Sequence, residues 1–145
     1  MILPIRTAAI ATLFAFGAPA AASTTVRVDI TGFKATTGEV RCAMFRGPGG
    51  FPRDLGQAEA RAQATIKAGS ATCIFENVAP GPAAVTVIHD ANNNKKLDFK
   101  FGFIPSEGLG WTNNPKVGMR PPSFDAARFQ VSGTPVTISV RLLHG

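Results

Sequence analysis

Apolar and polar residues alternate along much of the chain. Between Thr25 and Thr31, Val26, Val28 and Ile30 share one side while Arg27 and Asp29 take the other. A period of two is the mark of a half-buried strand. After a polar turn over Lys34 to Gly38, Val40, Cys42 and Met44 share a face in a second strand. Arg46 to Gly56 holds two prolines and four glycines and reads as a loop, and Gln57 to Arg61 as a short helical turn. Ala64, Ile66 and Ala68 alternate up to Gly69-Ser70, and Ala71, Cys73 and Phe75 alternate after it. A two-residue Gly-X connection predicts a type II′ hairpin that sets Ile66 opposite Cys73. Pro80-Gly81-Pro82 forces a turn into a strand over Ala83 to Ile88. Arg128 to Val131 and Val136 to Leu142 give two last strands, joined by Ser132-Gly133-Thr134-Pro135.

Seven short strands separated by turn residues, with no long amphipathic helix, predict an all-β domain. The expected form is a seven-stranded antiparallel β-sandwich, immunoglobulin-like or transthyretin-like. A transmembrane barrel needs about eight or more longer strands and is disfavoured. What does not fit the alternation is the stretch from Asp90 to Ala126. Unstructured loops longer than about 12–15 residues are uncommon unless functional or disordered. Leu97, Phe99, Phe101, Phe103, Ile104, Leu109 and Trp111 make this one too apolar for disorder. It is expected to be one long ordered loop, folded onto the domain.

The chain has 145 residues, 45% of them hydrophobic, which suits one domain and not two. Its first residues read differently. Met1 to Arg6 is short and positively charged, Ala8 to Gly17 is apolar, and small residues follow through Ala20-Ala21-Ala22. That three-part pattern is a signal peptide over residues 1–22, leaving a domain over 23–145 in the periplasm or secreted. The alternative, a buried N-terminal helix, fits the pattern less well, and no span is left after cleavage to cross a membrane. Losing Arg6 lowers the formal charge of +6 by one. A basic surface raises nucleic acid as a partner, but export and the dispersal of the basic residues argue against it. Cys42 and Cys73 are the two cysteines. Even parity in an oxidising compartment predicts a disulfide, with two separate buried thiols as the alternative.

The long loop opens with chemistry. Asp90, Asn92, Asn94 and Asp98 fall at alternate positions of a calcium-loop pattern, with the Lys96 carbonyl between them. Lys95 stands where that pattern wants glycine, and Phe101 where it wants a bidentate Glu, so any calcium site is weak. The other reading is a run of Asx-turns that orders the loop without an ion. Zinc or copper is disfavoured, with only His89 and His144 available. Trp111, Phe101 and Phe103 form either an aromatic platform for a sugar, peptide or lipid or a plug for one end of the sandwich. His89, Glu107, Asn113 and Asn114 are the polar candidates for ligand contact beside Trp111.

A wider signature runs through the same stretch: His89-Asp90, Asn92, Asn94, Lys96-Leu97-Asp98, Gly102, Ile104-Pro105, Glu107-Gly108, Gly110, Asn113-Asn114 and Pro122-Ser123-Phe124. With Pro80-Gly81 upstream, it resembles the bacterial family called domain of unknown function 2141, small exported proteins. The resemblance covers nearly the whole predicted mature chain. It implies a β-sandwich in the periplasm or outside the cell, and no established activity. The chain departs from the family at Asn93 and Lys95, where glycines are usual, and at Ala83, where an aromatic is usual.

The function expected from these residues is a non-enzymatic binding or structural envelope module. Its partner would be a small ligand, a peptide or an envelope component. The alternative is a small periplasmic hydrolase using His89 with Asp90 or Glu107. Ser106 and Ser123 are the available hydroxyls, but no nucleophile-elbow motif is present. Asp98 with Glu107 as a glycosidase pair has no further support.

Overall fold

The structure is a computed structural model that describes residues 10–12, 22–95, 99–100, 104–105 and 107–144. Residues 1–22, expected as a signal peptide, lie almost wholly outside that set, as do Lys96, Asp98, Phe101, Phe103 and Ser106. No described helix is long and apolar enough to cross a membrane.

The protein is mostly β, in two main sheets. In chain order the strands are β1 (Thr24–Thr31), β2 (Glu39–Phe45), β3 (Ala60–Thr65), β4 (Ala71–Val78), β5 (Gly81–Asp90), β6 (Phe99–Lys100), β7 (Ile104–Pro105), β8 (Leu109–Trp111), β9 (Phe129–Val131) and β10 (Val136–Arg141). A 3-10 turn, Leu55–Gln57, precedes β3, and one α-helical turn, α1 (Phe124–Ala127), precedes β9. One sheet has the order β10-β1-β4; the other runs β3-β2-β5-β8, with β9 beside the start of β5; β6 and β7 pair separately. The expected helical turn over Gln57 to Arg61 forms two residues early and gives way to strand at Ala60.

Alternation places the core where it was expected. Val26, Val28 and Ile30 of β1 are fully buried against Val40, Cys42 and Met44 of β2 and Val85 and Val87 of β5, so both sheets share one apolar interior. Within it a disulfide joins Cys42 on β2 to Cys73 on β4, with Cα atoms 6.6 Å apart. The link ties one sheet to the other across a sequence separation of 31. Closing a loop of that length contributes about 3–4 kcal/mol.

Three expectations change. First, the arrangement is not wholly antiparallel: β1 and β10 run parallel, from Val26 beside Val136 to Thr31 beside Arg141. Parallel neighbours need a long connection, and here nearly the whole domain serves as one. Second, the hairpin turn is Ala68-Gly69, with φ of 51° and 77°, between Lys67 and Ser70. Two positive φ values make it type I′ and not II′. The strands it joins then diverge to different sheets, so Cys73 lies opposite Val28 and not Ile66. An alanine at positive φ carries no sequence signal, because the conformation is unfavourable without glycine.

Third, the segment from Asp90 to Ala126 is not one loop. Leu109–Trp111 forms β8, an edge strand antiparallel to β5, with Trp111 beside Thr86 and Leu109 beside Ile88. Gly110 makes this possible: a Cβ there would lie 2.7 Å from Cγ1 of Val140 on the opposing sheet. With Gly110 facing inward, Leu109 and Trp111 face outward. There they join Phe45, Ile88, Phe124 and Ala127 in a second buried cluster. Trp111 therefore covers the outward face of the five-stranded sheet and does not plug an end. Phe51 meets Phe45 and Phe124 edge-on, with ring centroids 5.4 and 5.9 Å apart. Ser123 caps α1, its Oγ accepting the Ala126 N–H at 3.2 Å.

Candidate functional site

The Asp90 loop begins where β5 ends. Outward-facing Asp90 has no exposed surface. Its Oδ1 accepts the Asn94 N–H at 3.1 Å and its Oδ2 the Lys95 N–H at 2.8 Å. The Asn92 side chain accepts the Asn94 N–H as well, at 3.2 Å. These are Asx-turn bonds, in which a short polar side chain holds the backbone a few residues on. The bend needs left-handed backbone at Asn93 (φ 53°) and Lys95 (φ 62°). Beneath it Gly38, at φ 81°, lets two chains touch; a Cβ would run into the Asp90 carbonyl and Ala91. Lys96 and Asp98, the other expected calcium ligands, lie outside the described residues. Among those described, no three His, Cys, Asp or Glu side chains come close enough to share a metal ion.

His89 lies one residue earlier on β5, so its side chain projects to the opposite face from Asp90. It is 2% exposed, and Nε2 lies 2.7 Å from the Thr37 carbonyl. A carbonyl only accepts, so Nε2 carries the proton and donates. The Phe33 ring packs edge-on at 5.1 Å. His144 makes the matching contact to the Gly32 carbonyl at 2.8 Å. Gly108 fits between the two rings' backbones: a Cβ there would lie 3.0 Å from His144 Cε1 and 3.3 Å from His89 Cβ. Buried Glu107 precedes it in the chain. The structure thus brings His89 to Phe33, Thr37 and Gly108, and keeps it from Asp90.

The remaining candidates are held by the fold's own hydrogen bonds. Asn113 Nδ2 donates to the Arg128 carbonyl at 2.6 Å. Asn114 Oδ1 accepts the Arg141 N–H at 2.8 Å while its Nδ2 donates to the Ser139 carbonyl at 3.2 Å. Neighbouring Thr112 is fully buried: its Oγ1 accepts the Val85 N–H at 3.1 Å and donates to the Ala127 carbonyl at 2.6 Å. Trp111 is 6% exposed, and its buried Nε1 has no hydrogen-bond partner among the described residues.

One site was not legible in the sequence. The outward face of the five-stranded sheet is covered over β8, most of β5 and Phe45 of β2 but opens over β3 and the rest of β2, and there a cleft of about 260 Å³ forms. Pairing sets Arg61, Ala43 and Thr86 in one row, and Gln63, Arg41 and Ile88 in the next. Ala43, Thr86 and Ile88 make the floor, and Leu55 of the 3-10 turn makes a wall. Three cations reach it: Arg41, Arg61 and Lys95, the last from the Asp90 loop. Arg41 Nε is 2.9 Å from Glu39 Oε1 and 3.8 Å from Asp90 Oδ2. Arg61 is held upright by donating Nε and Nη2 to the Leu55 carbonyl. These cations are scattered in sequence: cross-strand register gathers Arg41 and Arg61, and the Asp90 loop brings Lys95.

A family model described as an uncharacterised protein conserved in bacteria, DUF2141, matches residues 28–139. The chain belongs to this family. The match runs from β1 into β10, so in this DUF2141 protein the family's span takes in both sheets, the Asp90 loop and the cleft. The structure also gives a physical reason for the glycines that the resemblance implies at two loop positions. Asn93 and Lys95 both hold the left-handed conformation that glycine adopts at least cost. No curated protein and no solved structure matches the chain.

Proposed function

We propose that this DUF2141 protein is an exported, non-enzymatic binding module built on a β-sandwich. Its core would be the seven strands that alternation predicts, in immunoglobulin- or transthyretin-like form. Its recognition surface is the cleft over β2 and β3, one wall of which is the loop that Asp90 holds. The observation that carries this reading is the make-up of the cleft. It offers an apolar floor and fixed cations, with no carboxylate, imidazole or free thiol among its described lining residues. A concave apolar site with a few convergent polar groups suits ligand binding, whereas hydrolysis needs a nucleophile or a base within reach. His89, the base of the alternative hydrolase reading, is turned into the interior and donates to Thr37.

Export to the periplasm or beyond follows from the N-terminal pattern and accords with the disulfide. The proposed partner is a small ligand of the envelope or the medium, not nucleic acid. The Asp90 loop closes by its own hydrogen bonds and needs no calcium, since both Asp90 oxygens already accept backbone N–H groups.

Amide chemical shifts of the labelled protein, recorded against a mixed panel of anionic, neutral and cationic small molecules, test the module. Saturable shifts are expected at Ala43, Leu55, Thr86 and Lys95 with some members. A panel that leaves these amides still, or turnover that His89→Ala abolishes, would sink the reading. For the loop, thermal unfolding with millimolar calcium, magnesium or chelator should give one midpoint. A ligand bound only by the native state raises the midpoint, so a calcium-specific rise would restore the ion.

A further inference from the structure

Resting on that reading of the cleft, we infer that its ligand is a small amphiphilic anion: a carboxylate carried on a short unbranched apolar body. Among the described residues, Arg41, Arg61 and Lys95 line the cavity and no acidic side chain does. Two carboxylates are paired with Arg41. Glu39 Oε1 lies 2.9 Å and Asp90 Oδ2 3.8 Å from its Nε, both on the Nε side of the guanidinium. The terminal nitrogens of Arg41 make no hydrogen bond among the described residues, which leaves the forked edge of the guanidinium for a ligand. Arg61 has no carboxylate within ion-pair distance among the described residues, and the Leu55 carbonyl fixes its orientation. A planar fork held in place is suited to bidentate capture of a carboxylate.

The apolar side sets the rest of the ligand. Ala43 is 3% exposed, and its small side chain between Arg61 and Thr86 leaves the depression. Ile88 and Leu55 complete an apolar bed. A bare inorganic anion would leave that bed wet, whereas a short hydrocarbon chain would cover it. A volume of about 260 Å³ lies below the range of drug-sized sites, so the body is small, on the order of ten non-hydrogen atoms.

The test uses hexanoate as probe, with hexanamide as its neutral counterpart, hexylammonium as the opposite charge and acetate as the head without the body. Each is titrated into the labelled, disulfide-intact protein while amide shifts are followed. Hexanoate is expected to shift Ala43, Leu55 and Thr86 saturably. Hexanamide and acetate should bind at least tenfold more weakly, and hexylammonium should leave these amides still. Arg61→Gln and Lys95→Gln should each weaken hexanoate at least fivefold, while Lys67→Gln, on the distant hairpin turn, should not. Lys95→Gln serves as the second variant because Lys95 is exposed and its side chain makes no described contact that the fold needs. Equal binding of hexanamide would overturn recognition of charge, and equal binding of acetate would overturn the apolar body. In both cases the responding amides would leave the binding-module reading intact. If hexanoate leaves the cleft amides still, this inference falls. The module reading then falls with it only if the mixed panel is silent there too.

Discussion

The outward face of the five-stranded sheet is two surfaces. Over β5 and β8 it is apolar and covered: Ile88, Leu109 and Trp111 lie beneath Phe124 and Ala127, and Phe51 closes the side. Over β3 and the part of β2 beyond Phe45 the same face is open, with Arg41, Arg61 and Gln63 standing around Ala43. The strands share one pleat, so backbone geometry does not separate the halves. What separates them is the segment after β8, which turns back through Thr112 and Asn113 and lays α1 against β5. One half of the face is spent on stability, and the other is left to meet solvent or a ligand. Substitutions in the two halves should therefore be read out differently, by unfolding on one side and by binding on the other.

Phe124→Ala is the strongest way to break the covered half. Truncating a buried aromatic costs about 3–5 kcal/mol, and Phe124 touches both Phe51 and the sheet. The expected result is a matching fall in denaturant-unfolding free energy. Arg61→Gln, on the bare half, should stay within about 0.5 kcal/mol of the parent. Equal losses at the two positions would mean that the halves are not energetically distinct. Thr112→Val is next. It keeps the side chain's volume but removes the one hydroxyl that serves both the Val85 N–H and the Ala127 carbonyl. Leaving buried polar groups unmet costs about 1–3 kcal/mol. The loss should be smaller than that of Phe124→Ala and should appear as faster hydrogen exchange at Val85. Unchanged exchange there would show that the strap does not hold the cover down.

The same division explains what could be read from the residues alone. Alternation located β1, β2, β4 and β10, because a strand buried on one side writes its inner face into every second residue, while turn residues marked off β5 and β9. It missed β8, whose three residues include Gly110 and are too few for a period. It also turned Trp111 toward an end of the domain, since which face a loop covers depends on where its strand pairs. Sequence spacing raised the Asp90 loop as a calcium pattern and as a set of Asx-turns at once. Only the hydrogen bonds to Asn94 and Lys95 show what the carboxylate does in the fold. The cleft left no trace in the sequence at all. Arg41 and Arg61 lie on different strands and become neighbours through a register that no local pattern encodes.

The smallest expected effect concerns the loop that walls the bare half. Lys95 holds a left-handed backbone, which costs a residue with a Cβ about 1–2 kcal/mol, and Asn93 holds the same conformation with a side chain that tolerates it better. Glycine at Lys95 removes that cost but adds about 0.4–1 kcal/mol of unfolded-chain entropy. The net for Lys95→Gly is then a gain of about 0.5–1 kcal/mol. For Asn93→Gly the two effects nearly cancel. A rise in unfolding midpoint with Lys95→Gly and none with Asn93→Gly would show that the lysine is kept against its own backbone preference. That would fit a side chain retained for what it presents to the cleft, since Lys95→Gly should also weaken hexanoate. A variant that gained stability and lost no affinity would instead assign Lys95 to the loop alone, and would leave Arg41 and Arg61 as the groups that face an anion.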